Sequence, residues 1–260
     1  MTTVNIDAYL SRIGYTGSTT PTLDTLRELH RAHLLAVPFE NLDIHLGRDI
    51  VLDESRLVEK IVGERRGGFC YELNGAFAAL LRALGFRVSL LSAGVTTPDG
   101  MIGPDFDHML LLVDLDEPWL ADVGFGDCFV EPIRLADEVQ HDRGRSFQVL
   151  DNDEERILQR RDDAGEWSAQ YRFHLTPHTL IDFAGMCQYH QSSPDSHFTR
   201  NRVCSRLTPT GRISLTNNRL IVTEDGQRHE TVVANDAAFA NALRRNFGID
   251  LPPTDSCLNE

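Results

Sequence analysis

Apolar residues in the first third of the chain return every three or four positions. Leu23, Leu26, His30, Leu34 and Val37 fall on one face of a helix that Pro21 opens and Pro38 ends. Residues 55–62 repeat the pattern over a shorter span with Leu57, Val58 and Ile61. Tyr71, Asn74, Phe77, Leu81 and Leu84 carry it into a third helix, stopped near Gly85. Beyond Gly85 the apolar residues form short runs rich in Val and Leu, separated by Gly, Pro and Asp. These runs predict strands at 87–95, 108–113, 119–125, 147–150, 156–159 and 167–173. Residues 176–211 are polar and irregular. The strand pattern resumes at 213–215, 219–223 and 230–234, with turns at Asn217-Asn218 and Asp225-Gly226. A helix over 236–246, capped by Asn235 and ended by Gly248, closes the series. The order is helices, then strands, then a mixed segment. Long βαβ alternation is absent, which argues against a doubly wound parallel sheet.

With 260 residues, 41% of them hydrophobic, the chain can bury a large core in one or two domains. A net charge of −14 and a pI near 5.1 argue against a nucleic-acid or anionic-membrane surface. No apolar run reaches the ~18–20 residues that span a bilayer. Residues 1–7 have neither a basic nor an apolar stretch of the signal-peptide kind. The five cysteines are scattered and include no C-x-x-C pair, so neither a disulfide framework nor a zinc site is indicated. A reduced, cytoplasmic compartment is expected.

The chemistry concentrates in Arg66-Gly67-Gly68-Phe69-Cys70-Tyr71-Glu72. Two glycines permit a left-handed turn or a close backbone approach. Cys70 then falls in the first turn of the third helix, where unpaired N–H groups and the dipole favour an anion. A free thiol with pKa ~8.5 is only slightly ionised at neutral pH; a helix terminus, and above all a neighbouring imidazolium, can lower it to ~3.5–7.5. A cysteine that merely packs as a small apolar residue is the competing reading. A nucleophilic thiol needs a base, and the base needs an orienting group. Of ten histidines, His108 is favoured because it opens the apolar run 109–113, where a ring needs a polar partner. Asp122 lies in the next run. If the hairpin centres on Asp116, His108 faces Gly124 and Asp122 becomes its diagonal neighbour on the same face, ~7–8 Å away between Cα atoms. A one-residue slip would put them on opposite faces. A purely structural His–Asp pair fits the same pattern.

These residues resemble the arylamine N-acetyltransferase family. The matching elements are Pro38-Phe39-Glu40-Asn41-Leu42, Arg66 through Asn74, His108 ahead of an apolar strand, Asp122-Val123-Gly124-Phe125-Gly126 and, more loosely, residues 191–198. The resemblance covers most of the chain and is to a bacterial-type member. It implies an α+β fold in three parts: an N-terminal helical bundle carrying the nucleophile (1–85), a central antiparallel β-barrel carrying His and Asp (86–175), and a C-terminal α/β lid (176–260). It implies a Cys70–His108–Asp122 triad arranged as in cysteine proteases, with acetyl-CoA as acyl donor, an aromatic amine or hydrazine as acceptor, and no metal. Phe125, flanked by two glycines, is the expected wall of an aryl slot, with Phe39, Tyr71 and Phe198 as further candidates. Gly124, Gly126, Arg200 and Arg202 are the expected CoA contacts; the last two open a basic segment that includes Arg206 and Arg212. Ordinary core packing and a solvated basic loop compete with these assignments. Cys128, Cys187, Cys204 and Cys257 have no evident base, although Cys128 is near enough to the site to be a secondary alkylation target. Three alternatives remain: an amide synthase closing a macrolactam from a carrier-bound acyl chain, a cysteine hydrolase, and a non-catalytic binding module.

Overall fold

The architecture is seen in a computed structural model that describes residues 4–152, 155–161 and 164–251. Helices Ile6–Ile13, Leu23–Ala36 and Cys70–Ala83 form the first layer. The first of these has no counterpart in the predicted pattern. Arg12 fastens it by donating to the carbonyls of Ala36, Ile61 and Arg66. The helix expected at 55–62 divides into an α-turn, Glu54–Val58, and a π-helical turn, Glu59–Gly63. The π-turn aims Lys60 into the interior.

An eight-stranded antiparallel sheet follows. Its spatial order is Ile133–Arg134, Pro118–Ala121, His108–Asp114, Arg87–Val95, Trp167–Phe173, Glu155–Arg161, Arg145–Asn152 and Gln140–Asp142. The sheet curls until its two edge strands nearly meet. The Gln140 side chain bridges them, accepting from the Arg134 N–H and donating to the Arg134 carbonyl, both at 2.8 Å. This amide replaces the missing ladder pair of a barrel that is almost closed.

Both faces of strand His108–Asp114 are buried, which explains why its sequence is continuously apolar where a half-buried strand would alternate. Met109, Leu111 and Val113 pack into the helical core with Leu73, Phe77 and Leu80. Leu110 joins Leu91, Phe147, Leu158 and Phe173 in the core inside the sheet. A third core lies between helix Asp236–Phe247 and a five-stranded sheet, through Cys204, Leu215, Phe239 and Leu243. That sheet begins with Phe39–Glu40 from the first third of the chain, paired with Val203–Thr208.

Residues 176–211 are structured, contrary to the irregular segment expected. They hold a 3-10 turn at Leu180–Phe183, helices Ala184–Ser192 and His197–Arg200, and strand Val203–Thr208. Helix Ala184–Ser192 buries only Cys187 and His190, so its sequence lacks the apolar stripe by which a helix is recognised. Among the described residues, no helix is long and apolar enough to cross a membrane.

Candidate active site

Three segments converge on the first turn of helix Cys70–Ala83. Cys70 is buried at the start of that helix. His108 opens its strand on the sheet-interior side, its ring edge-on to Phe125 at 5.2 Å and tilted against Tyr171 at 5.4 Å. His108 Nε2 lies 2.8 Å from Oδ2 of Asp122, both side chains being buried. A carboxylate can only accept, so Nε2 carries the proton in the neutral ring and Nδ1 is the nitrogen left for a second partner. The next residue, Met109, makes a backbone hydrogen bond to the Cys70 thiol. Gly124 closes the remaining side, since a Cβ there would stand 2.8 Å from Cys70 Cα and 3.0 Å from its carbonyl oxygen.

The hairpin has the expected register, with Leu111 opposite Ala121 and Asp114 opposite Pro118, but its ladder stops at Ala121. Asp122 lies just past the last pair and is aimed by contacts from the helices. Asn74 Nδ2 donates to its Oδ1 at 2.9 Å, and the Gly124 N–H donates to the same oxygen at 3.0 Å. The Asp122 N–H donates to His30 Nε2 at 3.0 Å. His30 Nδ1 must then carry the proton it shares with the Val130 carbonyl, 2.8 Å away. Asn74 also donates to Met109 O at 2.6 Å and accepts from the Val123 N–H at 2.9 Å. The sequence shows Asn74 and His30 as members of apolar helix faces. A polar side chain on such a face was the available signal for these roles.

Burial is the largest influence on Asp122 and would raise its carboxyl. The charge and hydrogen bond of His108, aided by Asn74 and Gly124, reverse this and hold it below the ordinary 3.8. Cys70 behaves oppositely. Burial pushes its thiol well above the usual range, the Met109 hydrogen bond pulls the other way, and Asp107 and Asp122 add to the rise. The depressed thiol expected from the helix terminus is therefore corrected. That terminus already serves another anion: Glu72 Oε2 accepts the Phe69 N–H at 3.1 Å.

The glycine turn also differs from expectation. Neither Gly67 nor Gly68 has positive φ; Arg65 does, at 53°. Gly67 is needed for space, because a Cβ would lie 1.9 Å from the Pro38 carbonyl oxygen.

Phe125 stands half-buried at the site. Phe39 and Phe198 are half-buried too and group with Phe69, the residue before Cys70, at ring separations of 6.1 Å (Phe39–Phe198) and 5.7 Å (Phe69–Phe198). Tyr71 is corrected from slot wall to core residue: it is fully buried and its hydroxyl donates to Phe106 O at 2.7 Å. Gly124 is occupied by Cys70 and offers no surface to CoA. Gly126 lies at the half-buried turn beyond Phe125. Arg202 pairs with Asp236 at 2.8 Å and covers the Phe239 ring at 4.1 Å, while Arg200 donates to the carbonyls of Asp195 and Ser196. Both arginines are held by the C-terminal segment itself. Arg206 donates to Asn246 O. Cys128, Cys187 and Cys204 are buried free thiols, all raised by burial, so the alkylation target expected at Cys128 has no physical support. Cys257 lies outside the described residues. Among those residues, no group of three or more His, Cys, Asp or Glu is arranged to hold a metal.

A profile of the N-acetyltransferase family matches residues 22–256. Arylamine N-acetyltransferase of Escherichia coli (strain K12) is 36% identical over 249 residues, covering 94% of this chain and 88% of that protein. Proansamycin X synthase of Amycolatopsis mediterranei (strain S699) is 32% identical over 254 residues, covering 94% and 97%. The solved structure of arylamine N-acetyltransferase from Salmonella typhimurium superposes with a TM-score of 0.90 at 34% identity, over 98% of this chain and 94% of that one. The Mycobacterium marinum arylamine N-acetyltransferase, solved in complex with CoA, superposes with a TM-score of 0.87 at 33% identity, over 94% and 93%.

Proposed function

Because the chain belongs to the arylamine N-acetyltransferase family, we propose that it moves acetyl from acetyl-CoA to the nitrogen of an aromatic amine or hydrazine through an acetyl-Cys70 intermediate. The observation that carries this reading is the His108–Asp122 contact of 2.8 Å, one residue from the Met109 group that bonds the buried Cys70 thiol. In the first half-reaction Cys70 gives its proton to His108 Nδ1 and the sulfur adds to the thioester carbonyl. The carbon–sulfur bond to CoA then breaks, and the imidazolium returns the proton to the departing CoA thiolate. In the second half-reaction the amine nitrogen adds to the acetyl carbon and passes its proton to His108. The bond to Cys70 breaks and the sulfur recovers that proton.

Asp122 keeps the ring in the tautomer whose Nδ1 can accept, and it stabilises the imidazolium once formed. Burial makes an isolated thiolate costly, so ionisation is favourable only as a contact pair with that imidazolium. General-base assistance of this kind contributes ~10²–10⁴-fold. Phe125 supplies an apolar wall beside His108, with Phe39 and Phe198 as a second aromatic group near Phe69; an aryl acceptor fits between such surfaces. The CoA complex of the Mycobacterium marinum relative supports the donor.

Mixing the protein with acetyl-CoA and no amine tests the scheme. The intact mass should rise by one acetyl group in the wild type and remain fixed in Cys70→Ala. Initial rates with aniline as acceptor should give the parallel lines of ping-pong kinetics; converging lines would overturn the mechanism. The similarity to a proansamycin X synthase supports a second reading, in which the same thiol takes a carrier-bound acyl chain and an amine of that chain closes the amide. Failure of acetyl-CoA to label Cys70, combined with labelling by a carrier-bound acyl thioester, would favour it.

A further inference from the structure

Three guanidiniums gather around one carboxylate beside this site. Arg145 Nη1 donates to Asp127 Oδ1 at 2.9 Å and its Nη2 to the Cys128 carbonyl. Arg160 Nη1 donates to the Asp127 carbonyl at 3.2 Å and lies 3.7 Å from Oδ2. Arg212, from the five-stranded sheet, sets Nε 3.5 Å from Oδ1 and donates through Nη1 to Ser205. One further carboxylate, Asp142, lies across the ladder from Arg145 and accepts the Val130 N–H. Partial burial beneath its exposed edge would raise the Asp127 carboxyl, and Arg212, Arg145 and Arg160 together hold it below the usual range. Positive charge is therefore in local excess on a chain of net charge −14.

Asp127 and Arg160 bring the cluster to a cavity of about 620 Å³ that Phe125, Thr96, Thr97 and Gln170 also line, with Arg145 and Arg212 behind Asp127. Phe125 touches His108 at one end. At the other, Arg160 makes no hydrogen bond through Nε or Nη2 among the described residues. The Asp127 side chain is 58% exposed, so an incoming anion can displace it. Only Phe125 and Gly126 separate Gly124, against Cys70, from Asp127, a span of at most about 11 Å. A flexible acyl-carrying arm covers that distance by folding.

We propose that Arg145, Arg160 and Arg212 form a phosphate subsite for the acyl-CoA donor, with Asp127 holding the guanidiniums together until phosphate replaces it. Guanidinium forks match phosphate oxygens in pairs, and a phosphate brings more charge than the carboxylate it displaces. The subsite rests on the reading of acetyl-CoA as donor, and it takes the role that the sequence suggested for Arg200 and Arg202.

The test compares acetyl-CoA with S-acetyl-N-acetylcysteamine, an acetyl thioester that has no phosphate, in the full chain. In Arg160→Gln the ratio of kcat/KM for acetyl-CoA to that for the phosphate-free donor should fall about tenfold, the worth of one charge-assisted hydrogen bond. Arg160→Lys should recover part of it. Asp127→Asn should raise the ratio, because it removes a competing anion. A structural ion cluster would instead weaken both donors together, and an unchanged ratio in Arg160→Gln or a lower one in Asp127→Asn would overturn the proposal. So would an effect confined to an acceptor that carries a carboxylate, 4-aminobenzoate against aniline. If the wild type itself uses neither donor, the acyl-transfer reading falls and the subsite with it, a result visible before any variant is made.

Discussion

In the proposed mechanism Cys70 lies under opposed influences: burial lifts its thiol, and the imidazole of His108, oriented by Asp122, takes the proton and remains beside the sulfur as a cation. Iodoacetamide should therefore alkylate Cys70 of the wild type readily at neutral pH. His108→Gln should react about a hundredfold or more slowly, since only the unassisted buried thiol remains. Equal rates would show that the two groups do not cooperate. His30 gives a second test at this scale. Burial is the main cause that holds its ring down at about 4, against the raising influence of Val130 and Asp122. The unfolded chain takes up that proton first as pH falls, so the contribution is fully present above 6.5 and is lost towards pH 4. At about 1.4 kcal/mol per pH unit the loss amounts to roughly 3 kcal/mol. Urea unfolding of the wild type and His30→Gln should show a gap that is widest at neutral pH and narrows with acid. The residue types of the site were legible in the chain because a thiol, an imidazole and a carboxylate in apolar runs each require a partner. Their ionisation was not, because burial is a property of the folded surroundings.

Helix Cys70–Ala83 is buried over almost its whole length, and its first turn stands on a group of interior charges. Lys60 Nζ lies 2.6 Å from Glu72 and 2.7 Å from Asp43; Arg66 lies 2.8 Å from Glu40 and 3.0 Å from Asp43. Burial lifts the Glu72 carboxyl to about 7 against the pull of Lys60. Glu72→Ala would leave Lys60 short of a partner and the Phe69 N–H uncapped. The expected cost is about 3–5 kcal/mol, read from the urea midpoint. Lys60→Met combined with Glu72→Leu should restore much of it, since the uncompensated charge is then gone. At the element scale the sequence was most informative where side-chain period alone decides structure. Helices Leu23–Ala36, Cys70–Ala83 and Asp236–Phe247, the central hairpin and the Asp225-Gly226 turn all follow from it, both turn residues having positive φ. It was least informative at Glu59–Gly63 and Ala184–Ser192, where a π-turn and a polar helix depend on the core that receives them.

Strand His108–Asp114 feeds two cores at once, and Phe39–Glu40 starts a sheet completed by the C-terminal strands. Asn41 reinforces that junction by donating to Phe198 O and Asn201 O and accepting from the Val203 N–H. Regions joined in this way should unfold together. Both tryptophans, Trp119 and Trp167, belong to the eight-stranded sheet, whereas far-UV ellipticity is dominated by the helices. Thermal transitions followed by the two signals should share one midpoint. A separate tryptophan transition would show the sheet to be an independent unit.

Periodicity, turn chemistry and the hairpin register are written into neighbouring residues, because backbone geometry repeats over two to four positions. The amino acids alone therefore determined the helix–strand order, the start of the helix that carries Cys70 and the common face of His108 and the hairpin's end. Contacts between distant residues decided the rest: His30 and Asn74 aim Asp122 from helices far upstream, and Arg145, Arg160 and Arg212 meet at Asp127 from two sheets. No local pattern encodes such meetings, since they depend on which surfaces the packed layers bring together and on how much water that packing removes.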